Sequence, residues 1–105
     1  MLQNNPQLHK QEDILRLISD QCAREIVNFI QTEPKSAIQI SSELGAELHT
    51  IYRRLHKFQK YNLLKITFQI TPDGKKSFYY KSKISGITVS YQQGKFNVSL
   101  TFNQT

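Results

Sequence analysis

Through the first 60 residues, apolar side chains recur at intervals of three and four, the spacing of one helix face. Ile14, Leu17 and Ile18 form the first such group and predict a helix over about residues 10–18. The residues before this group are mostly polar, so we expect residues 1–9 to be flexible.

A second apolar stripe follows a residue that can cap a helix. Ser19 or Asp20 can accept hydrogen bonds from the free backbone N–H groups of the next turn. Pro34 should end this second helix, because the residue before a proline is pushed out of helical geometry. The stripe consists of Cys22, Ala23, Ile26, Val27 and Ile30.

Two further helices are separated by a very short turn. Ser36 and Gln39 have the spacing of a capping box, and Gly45 suits the left-handed conformation that closes a helix. These features predict a short helix over 36–44 and a fourth helix over 47–60. Two helices joined in this way form a helix-turn-helix.

Beyond the fourth helix the apolar period changes to two, which indicates β-strands. Alternating residues on both sides of a Pro-Asp-Gly turn predict a hairpin over 65–82, with Lys75 and Lys76 at its tip. A second hairpin, within 84–105, turns at "QQGK" and has one face of mostly Ser, Thr, Asn and Gln. Its other face bears Ile87, Val89, Tyr91, Phe96, Val98, Leu100 and Phe102. So large an apolar face must cover the domain's own helices or another subunit.

The fourth helix separates an apolar face from a basic one. At about 100° per residue, Ile51, Leu55 and Phe58 cluster on the core side, and the basic side chains lie roughly 140° to 240° away from Ile51, with Thr50 near 260°. The basic residues opposite the core are His49, Arg53, His56, Lys57 and Lys60.

Charge is distributed unequally along the chain, whose net charge is +6. Residues 1–47 hold four bases and seven acids, whereas residues 48–105 hold ten bases and the single acid Asp73. The cationic half therefore begins at the fourth helix and favours a polyanionic partner.

An α-helix fits the DNA major groove, where Arg can donate two hydrogen bonds to guanine. Side chains near the start of such a helix reach deepest, so we expect base contacts from His49, Thr50 and Arg53. The alternative to DNA binding is that this helix face is only a solvated basic surface. For the Lys-tipped hairpin, the alternative is a turn that only improves solubility. If the helix does bind DNA, backbone contacts are expected from Arg54, Lys57 and Lys60.

Other kinds of chemistry find little support in the sequence. It contains no long apolar stretch for a membrane span, no phosphate-binding Gly-rich loop and no nucleophile elbow, so neither membrane association nor enzymatic activity is expected. His9, His49 and His56 lack metal-ligand spacing with the single cysteine, Cys22, so we expect no metal and no cofactor. Cys22 is best interpreted as a small buried side chain, with a redox-responsive thiol as the alternative.

Two segments carry a resemblance to a known family. "AIQISSELGAELHTIYRRLHKFQKYNLL" resembles the helix-turn-helix of ArsR-type winged-helix transcription regulators, in which an "I-S-x-x-L-G" helix precedes a "T-[IV]-Y-R-R-L" recognition helix. "LISDQCAREIVNFI" is similar to their preceding "L-x-D-x-x-R-x-x-I-L-x-x-[IL]" helix. The likeness covers about residues 13–83.

This resemblance implies an α+β fold, a winged helix-turn-helix of order α-α-α-α-β-β over residues 10–83, followed by an additional C-terminal β-hairpin. The hairpin over 65–82 would be the wing, and Lys75 and Lys76 at its tip would be placed to touch phosphate or the minor groove. Two departures stand out: Asn62 occupies a position where the family usually has Gly, and the chain ends in a hairpin where many members have a dimerisation helix. Asn also tolerates the left-handed conformation.

The function implied by the resemblance is that of a DNA-binding transcription regulator, most commonly a repressor. Such a protein would bind double-stranded DNA as a homodimer in the prokaryotic cytoplasm, associated with the nucleoid, and the sequence names no small-molecule effector. Two other interpretations stay open. One is a protein-interaction module of a transcription or chromatin assembly, and the other is a small-molecule sensor that uses the C-terminal hairpin.

Overall fold

A computed structural model describes residues 6–104 of the chain. Four helices are followed by two antiparallel hairpins, each forming its own two-stranded sheet. The elements are α1 (Pro6–Ile18), α2 (Gln21–Phe29), α3 (Ala37–Leu44), α4 (Leu48–Lys60), β1 (Leu64–Ile70), β2 (Lys76–Ser82), β3 (Ile84–Gln92) and β4 (Lys95–Phe102).

Helix α1 begins earlier than the apolar spacing predicts. It starts at Pro6, and proline suits a first helical position because its φ is already helical and that position needs no N–H partner. Residues 6–9, predicted to be flexible, therefore lie in this helix. The same prediction for residues 1–5 falls outside the described residues.

Helix α2 is capped by Asp20, the second of the two predicted candidates. The Asp20 carboxylate accepts the backbone N–H of Ala23 at 3.0 Å. The prediction that Pro34 ends this helix is wrong, because α2 already ends at Phe29. The next residue, Ile30, is fully buried and its carbonyl accepts the N–H of Ser82, so the chain leaves the helix to meet the hairpin.

The turn between α3 and α4 confirms its sequence signals. Ser36 and Gln39 form both hydrogen bonds of a capping box, and Gly45 adopts the left-handed conformation at φ 65°. Ser41 donates its hydroxyl to the carbonyl of Ala46 across the turn, at 2.5 Å. This bond and the Gly45 conformation fix how α4 leaves α3.

A single hydrophobic core holds the helices and the roots of both hairpins. Ile51, Leu55 and Phe58 enter it from α4, as predicted. The end of α4 turns through Asn62, which takes the left-handed conformation at φ 60° that asparagine tolerates. The other core residues are Leu17, Ala23, Ile26, Ile30, Ala37, Ile40, Leu63, Leu64 and Ile84.

The first hairpin forms as predicted, and its register places Ile66 opposite Tyr80 and Phe68 opposite Phe78. A bridge that the sequence does not reveal attaches it to the helices. Lys35 and Tyr80 exchange backbone hydrogen bonds of 3.0 and 2.8 Å. The loop before α3 is thereby joined to β2 by a single-residue bridge.

The second hairpin is covered unevenly. Ile87 and Leu100 pack against the core, and Phe96 and Val98 are half-buried on the strand that runs beside α1. The remaining members of the predicted apolar face are exposed. These are Val89, Tyr91 and Phe102.

Candidate nucleic-acid interface

The basic face of α4 is open to solvent. Ile51, Leu55 and Phe58 are buried and fix the rotation of the helix about its axis. The side chains on the opposite side consequently point outward. His49, Arg53, His56, Lys57 and Lys60 are exposed, and Thr50 is half-buried.

Arg54 lies apart from this group. Its Nε is 2.6 Å from Oδ2 of Asp20, and its side chain is only 20% exposed. This hydrogen bond holds the pKa of the Asp20 carboxyl below its ordinary value. Arg54 therefore ties α4 to the start of α2, whereas Arg53 is directed toward solvent.

A second polar contact anchors the C-terminal end of α4. The Tyr61 hydroxyl donates to Oδ2 of Asp13 on α1. The bond lowers the pKa of Asp13 and raises the pKa of Tyr61 to about 12, because it favours the carboxylate and the neutral phenol. Together with the Arg54–Asp20 contact, it fixes α4 against α1 and α2.

An acidic residue stands at the start of α4. Glu47 occupies the N-cap position without forming a side-chain cap, and its carboxylate lies 3.2 Å from Nδ1 of His49. Both side chains are exposed, so the contact is easily exchanged for one with another partner.

Two residues of this surface are missed by an argument based on basic residues. Tyr52 and Gln59 line the same shallow surface as Arg53, His56 and Lys57. Both are exposed, and Tyr52 presents its ring beside the bases. Their angles on the helix, about 100° and 80° from Ile51, are the signal that places them on its flank.

The tip of the first hairpin carries both predicted lysines. A turn closed by hydrogen bonds between Thr71 and Lys75 presents them, with Gly74 at φ 82°. Lys75 Nζ lies 4.0 Å from Asp73, a loose exposed contact. Lys76 Nζ lies 4.8 Å above the ring of Phe68. Lys75 is thus the freer of the two cations.

The first hairpin also exposes an apolar strip that was not predicted as a surface. Phe68 and Phe78 lie opposite each other with their ring centroids 6.3 Å apart, and Ile70 continues the strip toward the tip. All three side chains are exposed. Alternation correctly places them on one face, but it cannot show that the helices end before covering them.

Cys22 is a free, half-buried thiol. Burial, followed by the nearby carboxylate of Asp20, raises its pKa, which disfavours the reactive thiolate. Within residues 6–104, no three His, Cys, Asp or Glu side chains form a group that could hold a metal ion. In the same part of the chain, no helix is long and apolar enough to cross a membrane.

Comparisons with known proteins identify the fold. No protein-family model and no curated protein matches the sequence. Among solved structures, NolR from Sinorhizobium fredii superimposes with a TM-score of 0.56 over 78% of this chain and 81% of its own, at 16% sequence identity. The chain therefore has the α+β winged helix-turn-helix fold of NolR, in which α3 and α4 form the helix-turn-helix and the first hairpin is the wing.

Proposed function

We propose that the protein is a DNA-binding transcription regulator that inserts α4 into the major groove. The observation that carries this proposal is the exposed basic face of α4, which lies opposite the buried residues that fix the helix in the domain. A helix held in this way can present a row of cations to DNA without disturbing the core.

Roles can be assigned along the helix. His49, Thr50 and Arg53 lie in its first two turns and would meet base edges, with Arg53 the strongest candidate because it can bind guanine in a bidentate manner. His56, Lys57 and Lys60 would neutralise phosphates. Arg54 differs from its predicted role as a backbone contact: we assign it to positioning α4, because its guanidinium is engaged by Asp20.

The wing supplies flanking contacts in this proposal. Lys75 and Lys76 project at its tip and would meet the phosphate backbone beside the major-groove site. Tyr52 and Gln59 extend the exposed surface of α4 beside its bases and can donate hydrogen bonds to phosphate.

We further propose an ArsR-like mode of action, in which a cytoplasmic homodimer on the nucleoid represses transcription by occluding a promoter. A two-fold dimer would match two half-sites about one helical turn apart. The resemblance of the helix-turn-helix segment to that family supports this assignment.

A protein-interaction module is the second candidate function. The observation that favours it is the exposed apolar strip of Phe68, Ile70 and Phe78 on the wing, since such strips often mark protein contacts. In that case the basic face would meet acidic protein surfaces.

Duplex DNA binding across a salt series separates the two candidates. A selected duplex and a scrambled duplex of equal length are titrated with the protein, and fluorescence anisotropy gives the affinities. A regulator should prefer the selected duplex, and its affinity should fall steeply with salt because phosphate contacts release counterions. Absence of binding at low salt, or equal affinity for both duplexes, would contradict sequence-specific regulation.

A further inference from the structure

The outer half of β3 is an uncharged, exposed edge strand. Residues 88–92 are all exposed, and the whole of β3, "ISGITVSYQ", contains no charged side chain. Edge strands commonly carry lysine, proline or a bulge that prevents pairing with another chain. Beyond the irregularity near Gly86, β3 has none of these devices.

The hairpin register determines which backbone groups face outward. Gln92 and Lys95 flank a two-residue turn and so form a hydrogen-bonded pair. Alternation from that pair makes Ser90 hydrogen-bonded to β4 and leaves Val89 and Tyr91 in non-hydrogen-bonded pairs. The N–H and C=O groups of Val89 and Tyr91 therefore point away from β4.

The opposite edge of the hairpin has the same alternation, but there it is covered. Val98, which pairs with Val89, points its N–H outward from β4 and donates it to Oε1 of Gln11 on α1 at 3.0 Å. Within residues 6–104, the N–H groups of Val89 and Tyr91 donate no such bond. The β3 edge is thus the open one in the described part of the chain.

We propose that β3 pairs with β3 of a second copy of this chain, antiparallel about a two-fold axis at Val89. The result is a continuous four-stranded sheet of order β4-β3-β3-β4. The backbone N–H and C=O groups of Ile87, Val89 and Tyr91 point away from β4. With the two-fold axis at Val89, the middle one of these residues, each of the three pairs with one of the same three residues in the second copy. Val89 then lies opposite its own copy, and each Tyr91 lies opposite an Ile87, a favourable aromatic and β-branched pair.

A groove beside β3 can accommodate the Tyr91 side chain that this register brings from the second copy. It has a volume of about 400 Å³ and lies between the inner end of β3 and α2. Tyr91 is 72% exposed in the single chain, and the pairing would bring the tyrosine of the partner opposite Ile87, at this groove. A tyrosine suits such a mixed lining, because its ring is apolar and its hydroxyl needs a polar partner. The lining includes Ile18, Val27 and Ile87, with Arg24, Asn28 and Gln31 as polar groups.

This inference supplies the interface for the homodimer under the proposed function, and its test uses no DNA. Val89→Lys would place two lysines opposite each other at the axis, where like charges destabilise pairing. Ser99→Lys adds the same charge at an exposed position of β4 and is the matched control. Analytical ultracentrifugation of the full chain should give a dimer for the wild type and for Ser99→Lys, and an association at least tenfold weaker for Val89→Lys.

A disulfide across the axis gives a second measurement that does not depend on weakening the fold. In a Cys22→Ser background, Val89→Cys should form a covalent dimer on mild oxidation, because directly opposed residues lie within disulfide reach. Ser99→Cys should form no covalent dimer under the same conditions, because Ser99 lies on β4, away from the axis. Circular dichroism checks that each variant is folded.

Two results would overturn the inference: a wild-type chain that is monomeric at high concentration, or folded Val89→Lys that dimerises as tightly as Ser99→Lys. A monomer that still binds a selected duplex would reject this interface and leave DNA binding in place. A wild-type dimer that Val89→Lys weakens as expected, but that binds no DNA, would support this interface and reject the proposed DNA binding.

Discussion

One carboxylate oxygen joins two helices: Oδ2 of Asp20 accepts both the N–H of Ala23 and the Nε–H of Arg54, at 3.0 and 2.6 Å. The first bond caps α2 and the second holds α4. The carboxylate is 35% exposed and the guanidinium 20%, so water competes only partly for the contact. The orientation of the candidate recognition helix thus depends on a residue at the start of another helix.

Asp20→Ala should lower the free energy of unfolding by about 1 to 2 kcal/mol, because loss of a helix cap alone costs about 1 kcal/mol. Urea denaturation at neutral pH measures the change. Glu43→Ala removes an exposed acid from α3 and should change stability little. Equal effects of the two substitutions would show that Asp20 has no structural role.

The Tyr61–Asp13 bond predicts a loss of stability at high pH. The pKa of Tyr61 is raised from 10.0 to about 12, so from neutral pH up to pH 10 the bond stabilises the fold fully, and this stabilisation is lost as the pH rises through 12. Burial also raises the pKa of Tyr80, so the diagnostic signal is a phase near pH 12 in the spectrophotometric titration of the folded protein that is absent in Tyr61→Phe. Tyr91→Phe removes one hydroxyl elsewhere and should retain it. A phase near pH 12 that persists in Tyr61→Phe would contradict the assignment.

Gly45→Ala should destabilise the fold by about 1 kcal/mol, since φ 65° is unfavourable for a residue with a Cβ. No atom lies within 4 Å of the Cβ that alanine would add, so the cost is conformational. Gly86→Ala is the matched control, because its φ is not in the left-handed region and its Cβ would meet Thr101 at an ordinary 3.8 Å. Thermal unfolding should therefore show the larger loss for Gly45→Ala, and the reverse order would refute this explanation.

The phosphate contact proposed for Lys75 on the wing can be tested by substitution. Lys75→Ala should weaken binding to all duplexes alike and reduce the slope of log affinity against log salt by about 1, the effect of one lost phosphate contact. Lys95→Ala removes an exposed lysine from the second hairpin and should leave the slope unchanged. If both substitutions had the same effect, the wing would have no specific part in binding.

Local signals in the sequence were sufficient for most elements. The Ser36–Gln39 capping box and Gly45 fixed α3, and strict alternation fixed both hairpins, because these features act over a few residues. The end of α2 could not be found in this way. Ile30 leaves the helix to accept a hydrogen bond from Ser82, a tertiary contact that outweighs the more distant Pro34.

In the candidate site, too, local sequence patterns predicted some features, whereas contacts between distant residues could not be predicted. The helical spacing of α4 was enough to separate its buried face from Arg53 and the other exposed bases. It could not reveal that Arg54 is engaged by Asp20, since the two residues are 34 positions apart and meet only in the folded chain. The Lys35–Tyr80 bridge, which attaches the wing, was hidden for the same reason.

Sequence preference after Arg53→Ala is the most direct test of the central claim that α4 reads DNA. A duplex selected by the wild type, and its single base-pair variants, are titrated with the wild type, Arg53→Ala and Lys60→Ala. Arg53→Ala should lose about 1 to 3 kcal/mol on the selected duplex and its preference at one base pair, whereas Lys60→Ala should weaken binding to every duplex equally. An Arg53→Ala protein with unchanged affinity and preference would contradict the claim.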